Sequence, residues 1–254
     1  MKTGEKLDLI KSFAEEIITE EELVKLFEEK KHPVAYDGFE PSGKIHIAQG
    51  IMRAINVNKM TKTGVKFTML AADWHAWANN KLGGDLDKIH TVGDYLIEVW
   101  KAAGMDLDNI KFVRSSELVS KQEYWQTVMK IARESTVNRI IRCSQIMGRS
   151  ETDKLTAAQI FYPCMQCSDI FELEADITQL GMDQRHATLL SRELSQKLGQ
   201  TPRVCVHHHL LVSLQGTEGR MGQETATFQL EDKMSKSKPQ TAIFIHDNKK
   251  EIEE

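Results

Sequence analysis

The feature that most constrains the fold is a regular alternation of short apolar runs with long amphipathic stretches. The apolar runs are typical of buried strands and cover residues 33–39, 65–72, 110–113, 175–178 and 203–206. Helical periodicity between them predicts helices over about 47–63, 86–104, 122–147, 156–172 and 184–198. Strands that alternate with helices favour an α/β fold built on a doubly wound parallel sheet.

The start of the chain predicts two helices. Apolar residues recur at helical spacing from Leu7 to Ile18, which indicates a first helix over this stretch. Thr19 and Glu22 then form the pattern of a capping box, which indicates the start of a second helix. We therefore expect residues 1–32 to be a pair of N-terminal helices.

Composition limits the class of protein. The chain has 41% hydrophobic and 28% charged residues and a net charge of −4, values typical of an ordinary globular protein. The apolar runs are too short to span a bilayer, and the first residues have no signal-peptide core. We expect a cytoplasmic protein with no membrane partner, in which any contact with nucleic acid comes from a local basic patch.

The four cysteines allow two interpretations. Cys164 and Cys167 have the spacing of metal ligands, and the run His207–His209 could complete a zinc shell. The chain has no second pair with this spacing, however, and Cys164 follows Pro163 at what we take for the start of a buried apolar helix. The sequence favours buried thiols over a metal site.

Three segments lie where strands are predicted to end, the edge at which parallel sheets bind ligands. The first runs over residues 36–49. Gly38 and Gly43 would let the backbone approach a ligand, and His46 and Gln49 stand at the start of the next helix, which suits a polyphosphate. The alternative is a turn of glycine and proline that only precedes a helix.

In the second segment, Tyr162, Gln166 and Asp169 fall on one face of a predicted helix, where a core helix would carry apolar residues. Buried polar groups need hydrogen-bond partners, so this face suits a small polar ligand, unless it is simply exposed to solvent.

The third segment is Lys233-Met-Ser-Lys-Ser, in which two ammonium groups alternate with two hydroxyls. Such a loop can close on a triphosphate and neutralise developing charge, although it would also suit a solvated basic loop.

Together these segments resemble one family. Residues 233–237 match the KMSKS signature of class I aminoacyl-tRNA synthetases, and His46-Ile-Ala-Gln is similar to their HIGH element. The phrases around them, at 38–46, 162–170 and 181–185, resemble tyrosyl-tRNA synthetases of the archaeal and eukaryotic type. The resemblance covers about residues 19–250.

The resemblance implies a role for each matching residue. The residues expected to bind tyrosine are Tyr36, His75, Tyr162, Gln166, Asp169 and Gln184. ATP would enter as a substrate together with Mg²⁺, and the protein itself is expected to have no metal site. The residues expected to bind ATP are Gly43, His46, Gln49, Gly181, Asp183, Lys233, Ser235, Lys236 and Ser237. Catalysis would rest on His46, Gln49, Lys233 and Lys236 through positioning and electrostatics, without a covalent enzyme intermediate.

The same resemblance implies the domain organisation and the partners. A Rossmann-type catalytic domain is expected over 33–207, with a helical insertion at about 115–160 that family members use to form homodimers, and the KMSKS loop region is expected over 208–254. Basic residues of the insertion, Lys130, Arg133, Arg139, Arg142 and Arg149, would contact tRNA(Tyr). We also expect that the chain lacks the family's C-terminal anticodon-binding domain.

The match departs from the family pattern at Gln49, which replaces the second imidazole of the HIGH element, and in a longer link before Lys233 that contains residues 219–222. Three other functions therefore stay open. They are a tryptophanyl-tRNA synthetase, against which Tyr36 and Asp169 argue, an inactive paralogue that binds RNA or acts in signalling, and a nucleotidyltransferase of another kind.

Overall fold

The computed structural model describes residues 1–148, 153–214, 233–236 and 239–253. Within them, six strands form one sheet in the order β1-β6-β5-β2-β3-β4. The strands are β1 Ala14–Ile18, β2 Val34–Phe39, β3 Lys66–Ala71, β4 Ile110–Arg114, β5 Ile177–Gly181 and β6 Val204–His208. Neighbouring strands are parallel except at the pair β1 and β6, so the predicted α/β fold with its mainly parallel sheet is confirmed.

Helices cover both faces of the sheet. They are α1 Thr3–Lys11, α2 Glu20–Glu29, α3 Arg53–Lys62, α4 Asp73–Ala78, α5 Leu86–Ala102, α6 Ser115–Val119, α7 Gln122–Glu134, α8 Val137–Ile141, α9 Ala157–Glu172, α10 Arg185–Ser195 and α11 Lys249–Glu253. No helix among the described residues has the length and apolar character needed to cross a bilayer.

Two apolar cores lie on the two faces because successive side chains of a strand point in opposite directions. On β3, Phe67 and Met69 pack with α1, α2, α3 and α5, whereas Leu70 packs with α7 to α10 on the other face. Trp100 of α5 is fully buried in the first core and stacks on Phe112 of β4. This division into two layers is the doubly wound arrangement.

The predicted helix over residues 7–18 is wrong in its second half. The helix α1 ends at Lys11, and Ala14–Ile18 form the strand β1, which pairs antiparallel with β6. Helical spacing of apolar residues could not distinguish these alternatives, because the pairing satisfies backbone groups at the edge of β6 that no local pattern reveals. The N-terminal segment therefore contributes a strand to the sheet as well as helices.

Smaller differences concern where elements begin and end. The strand expected at 175–178 starts at Ile177 and continues to Gly181, and the helix expected over 122–147 is divided into α7 and α8 by Ser135 and Thr136. The capping box at Thr19 is confirmed, since its hydroxyl accepts from the Glu22 amide. Pro163 lies inside α9, which begins six residues earlier at Ala157, and not at a helix start.

Candidate active site

The site lies at the carboxyl ends of β2, β5 and β6. The chain proceeds from β2 to β3 and β4 on one side, whereas β5 and β6 lie on the other, so the order of strands reverses between β2 and β5. Open α/β sheets bind their ligands in the crevice at such a switch point. Two adjoining cavities occupy this crevice and share the residues Gly38, Glu40, Tyr162 and Gln184.

The first cavity brings together all six side chains that we expected to bind an amino acid. They come from β2, from α4, from α9 and from the turn before α10, yet they line one small space. Its lining residues are Tyr36, Gly38, Glu40, Ala72, His75, Tyr162, Gln166, Asp169 and Gln184. We call it the polar cavity.

Asp169 is the most buried acidic group of the polar cavity, with 1% of its surface exposed. Its Oδ1 accepts from the Tyr124 hydroxyl at 2.9 Å, and its Oδ2 lies 3.0 Å from His75 Nε2. Burial lowers the pKa of His75, but the attraction of Asp169 and the hydrogen bond to it outweigh burial, so the pKa is raised. A carboxylate held in this way can still accept a hydrogen bond from a ligand hydroxyl.

The amides of the polar cavity point to a ligand. Gln166 donates from Nε2 to Gln184 Oε1 at 3.2 Å, and Gln184 Nε2 donates to the backbone carbonyl of Ile146 at 3.2 Å. The buried Gln166 Oε1 has no hydrogen-bond partner among the described residues. A buried acceptor without a partner costs free energy, so a donor group of a ligand is expected beside it.

Around the polar cavity, sequence reasoning missed two residues. Glu40 lines both cavities and accepts from Asn79 Nδ2 at 3.0 Å, and burial together with Glu40 raises the pKa of Tyr162. Glu40 directly follows a predicted strand, and this position could have identified it as a candidate site residue. Tyr124 carried no such signal, because on α7 it follows the same helical spacing as the buried Val128 and Ile131.

The second cavity is a cleft of about 790 Å³, a size typical of small-molecule sites. It brings the HIGH-like and KMSKS-like segments together, although they are nearly 200 residues apart. Its lining includes His46, Gln49, Gly181, Asp183, Lys233, Ser235 and Lys236. Gly43 is not among its lining residues, but its φ of +116° is a conformation that favours glycine.

His46 and Gln49 stand where the chain enters a helix. Residues Ala48–Met52 form a π-helical turn that leads directly into α3, a feature often found at functional sites. Burial lowers the pKa of His46 to about 4, aided by the charges of Lys236 and Lys233, so its imidazole is neutral. His46 Nδ1 and Gln49 Oε1 are buried without a hydrogen-bond partner in the described part of the chain.

Two lysines bring the KMSKS-like segment over the cleft. Lys233 Nζ lies 2.6 Å from Asp183 Oδ2, and Lys236 Nζ donates to Ser42 Oγ at 3.0 Å. Burial lowers the pKa of Lys236 to about 8. Ser237 and the inserted residues 219–222 lie outside the described residues.

The cysteines are buried thiols. Cys164 and Cys167 lie on α9, and burial raises the pKa of the Cys164 thiol to about 12. Across the described residues, no group of three or more histidine, cysteine, aspartate or glutamate side chains could hold a metal ion.

The helical segment expected to form dimers is largely part of the core. Val128, Ile131 and Ile140 are buried within the subunit, whereas Trp125 is 37% exposed. Among the basic residues expected at tRNA, Arg139 forms an ion pair with Glu193 at 2.9 Å, and Arg149 lies outside the described residues.

Comparisons with known proteins show the family to which the chain belongs. The family of tRNA synthetases class I (W and Y) matches residues 28–254. The cytoplasmic tyrosine–tRNA ligase 1 of Arabidopsis thaliana is 53% identical over 96% of this chain and 61% of its own length. The tyrosine–tRNA ligase of Saccharolobus islandicus is 43% identical over 100% of this chain and 71% of its own.

A solved structure has the same fold. The Leishmania major tyrosyl-tRNA synthetase in complex with tyrosinol superposes with a TM-score of 0.89 and is 48% identical. The superposition covers 99% of this chain and 42% of that one. The chain therefore spans about three fifths of the Arabidopsis relative and less than half of the Leishmania chain.

Proposed function

The chain belongs to the tyrosine–tRNA ligases of the class I tRNA synthetase family, and from this premise we propose that it activates L-tyrosine with ATP and transfers it to tRNA(Tyr). The observation that carries the choice of amino acid is the buried Asp169 in the polar cavity with Tyr36. A tyrosine hydroxyl would donate to this carboxylate, whereas phenylalanine would leave it without that hydrogen bond.

The other polar groups of the cavity suit the main-chain end of an amino acid. Glu40, Gln166 and Gln184 offer a carboxylate and amide oxygens to the α-ammonium group. Because these residues stand next to the cavity's border with the cleft, the substrate carboxylate would emerge toward the nucleotide. The amino acid and ATP would then be oriented for direct reaction.

The proposed chemistry in the cleft is an in-line attack of the tyrosine carboxylate on the α-phosphate. Pyrophosphate leaves, and tyrosyl-AMP is formed. Lys233 and Lys236 would neutralise the charge that develops on the leaving group, and His46 and Gln49 would contact the phosphates. ATP enters as a substrate with Mg²⁺ bound to its phosphates, and the described residues need not supply a metal site of their own.

We further propose a cytoplasmic homodimer, a location supported by the names of the two Arabidopsis relatives. The exposed Trp125, Met129 and Val137 of α7 and α8 give the helical segment an apolar surface for pairing. The exposed basic residues Lys130, Arg133 and Arg142 of the same segment would contact the phosphates of the tRNA.

Amino-acid-dependent exchange of pyrophosphate into ATP, run with each of the twenty amino acids, tests the proposal. We expect exchange with tyrosine and little with tryptophan or phenylalanine. Exchange with tryptophan instead would favour the related tryptophan enzymes, and exchange that needs no amino acid would favour another nucleotidyltransferase. A protein that binds tRNA but supports no exchange would be an inactive paralogue.

A further inference from the structure

Three consecutive histidines near the end of β6 have three different surroundings. His207 lies 2.8 Å from the Thr188 hydroxyl and 2.8 Å from Glu16, and His209 is exposed at 3.4 Å from Glu15. His208 is 5% exposed, pairs in register with Gly181, and lines the nucleotide cleft. No step of the proposed reaction uses His208.

A buried ion pair followed by buried hydrogen bonds connects β2 to His208. Asp37 Oδ2 lies 2.6 Å from Nε of Arg53, which is fully buried. The Arg53 guanidinium contacts the side-chain oxygen of Gln179 and donates to its backbone carbonyl at 3.1 Å. Gln179 Nε2 in turn lies 3.1 Å from His208 Nδ1. We call these four residues the buried relay.

The direction of each hydrogen bond in the buried relay follows from the chemistry of arginine. A guanidinium has donors only, so the Gln179 oxygen must accept and its amide nitrogen must face His208. An amide nitrogen also donates only, and Nδ1 must therefore accept. Arg53 Nη1, at 3.5 Å from the same Nδ1, imposes the same requirement.

The imidazole of His208 is neutral, since burial and the neighbouring charge of Arg53 hold its pKa well below the usual value. A neutral imidazole whose Nδ1 accepts carries its proton on Nε2. The buried relay thus leaves a single donor, Nε2–H, for the rest of the site.

The position of Nε2 identifies what this donor can meet. A Cβ placed on Gly181 would lie 3.6 Å from His208 Nε2, 2.9 Å from Leu210 Cδ2 and 2.5 Å from Asp183 Oδ1, so donor and acceptor lie near the same point, beside one apolar side chain. Asp183 Oδ2 is occupied by Lys233, which leaves Oδ1 for this space. A hydroxyl both donates and accepts, so it can bind both groups at once.

We propose that His208 is a nucleotide-binding residue whose Nε2–H donates to the ribose hydroxyl of ATP at Asp183, the residue that the family resemblance already implies beside the ribose. This assignment rests on the proposed function. It makes His208 a determinant of selectivity for ribonucleotides, with its tautomer set by the buried relay.

The tautomer is tested on the ligand-free protein, without any activity. Long-range proton–nitrogen correlation spectra of protein labelled with ¹⁵N-histidine report which nitrogen of each ring is protonated, and His208→Gln identifies the signal. We expect an unprotonated Nδ1 and a protonated Nε2 at pH 7. A proton on Nδ1 would overturn the proposal.

The contact itself is tested with 2′-deoxy-ATP and 3′-deoxy-ATP in tyrosine-dependent exchange. The ratio of kcat/KM for ATP to kcat/KM for the deoxy analogue measures the penalty for the missing hydroxyl. This penalty should be about three- to tenfold smaller in His208→Leu than in the unaltered protein, the effect of one hydrogen bond. His208→Gln places an amide nitrogen at the same distance from the backbone, so it should again show most of the penalty for the missing hydroxyl. His209→Leu is the matched control and should behave like the unaltered protein.

An equal penalty in His208→Leu and the unaltered protein, for both analogues, would refute the contact. Absence of tyrosine-dependent exchange with ATP itself would refute the proposed function instead. In that case, calorimetric titration with ATP and the two deoxy analogues compares the same variants by binding alone, and the same criterion applies.

Discussion

At the scale of single residues, we propose that Asp169 determines which amino acid the polar cavity accepts. It is held by Tyr124 and lies beside His75, so its position does not depend on a ligand. We expect Asp169→Asn, which keeps the shape of the side chain, to lower the ratio of kcat/KM for tyrosine over phenylalanine by roughly 10- to 100-fold, the range for hydrogen bonds to charged groups. The measurement is pyrophosphate exchange with each amino acid.

A matched control for Asp169 is its neighbour on α9. The Ser168 hydroxyl donates to the backbone carbonyl of Tyr124 and does not line the polar cavity. Ser168→Ala should leave the ratio unchanged. An unaltered ratio in Asp169→Asn would remove this residue from the recognition of tyrosine.

We expect Lys236 to make the activity depend on pH in the alkaline range. Burial lowers its pKa to about 8, so the free protein loses this positive charge as the pH rises through about 8. The kcat/KM for ATP should therefore fall above that pH, because this parameter reports groups of the free enzyme. Lys236→Arg, whose guanidinium stays charged, should shift the fall to higher pH. A profile that is identical in both proteins would contradict this assignment.

At the scale of elements, we propose that the KMSKS-like segment acts through its positive charges. Lys233 pairs with Asp183 across the cleft and is not among the residues that line the polar cavity. Lys233→Ala should lower the rate of adenylate formation by roughly 10²- to 10³-fold, as for other groups that stabilise developing charge, with a much smaller effect on tyrosine affinity.

Single-turnover kinetics and equilibrium binding of tyrosine separate these two effects of Lys233. The exposed Lys44, which lies over the Phe244 ring, is a suitable control for the loss of one surface charge. If tyrosine binding weakened as much as the rate, the assignment of Lys233 to the transition state would be wrong.

The strand β1 is attached to the sheet by a charged network as well as by backbone pairing. Glu16 accepts two hydrogen bonds from Arg185 Nε and Nη2 and lies beside His207. Burial raises the pKa of Glu16, but the hydrogen bonds from Arg185 and His207 together outweigh it, so the pKa is lowered. We expect Glu16→Ala to reduce the free energy of unfolding at pH 7 by about 1–3 kcal/mol.

The sign of the pH dependence follows from the lowered pKa. The contribution of Glu16 is present above the unfolded-state pKa of 4.5 and is lost as the pH falls through the lower folded-state value. Urea unfolding of the unaltered protein and of Glu16→Ala, at pH 7 and in acid, measures how the contribution of Glu16 to the free energy of unfolding changes with pH. Glu15→Ala, which removes only an exposed contact with His209 at 3.4 Å, should change stability by less than about 1 kcal/mol.

Elements with a strong local pattern could be predicted from the sequence, and those that depend on distant partners could not. On α9, Tyr162, Gln166 and Asp169 are polar at positions where a core helix is apolar, and they do line one cavity. The strand β1 has no such signal, because Ile17 and Ile18 fit a helix or a strand equally well until β6 supplies a partner.

The same limit applies to the site. Residues within the matching motifs, such as His46 and Lys233, were named from the sequence and lie together in the cleft. Tyr124 and the buried relay were missed because their roles arise from contacts across the sheet. From the sequence, Arg53 would be predicted to be an exposed residue of a helix. In the structure it is fully buried between β2, β5 and β6.

At the scale of the whole molecule, the proposed homodimer would use the exposed apolar groups of α7 and α8. Met129 is 51% exposed, next to the core residue Val128. Met129→Glu should therefore weaken dimerisation without unfolding the subunit. Light scattering at micromolar concentration should give the mass of two chains for the unaltered protein and a lower mass for the variant.

Leu107 provides the comparison for Met129. It has the same exposure of 51% but lies before β4, outside the helical segment. Leu107→Glu should leave the mass at two chains. A mass of one chain for the unaltered protein would contradict the proposed dimer.

The pairing of β1 with β6 also bears on the order in which the protein can fold during synthesis. Glu16 and His207 are 191 residues apart, so the strand made first has no partner until nearly the whole sheet has left the ribosome. Until then β1 lacks its neighbour, and an unpaired strand of this kind can pair with the same strand of another nascent chain. The sheet is therefore completed only when β1, the first strand to be made, pairs with β6, the last.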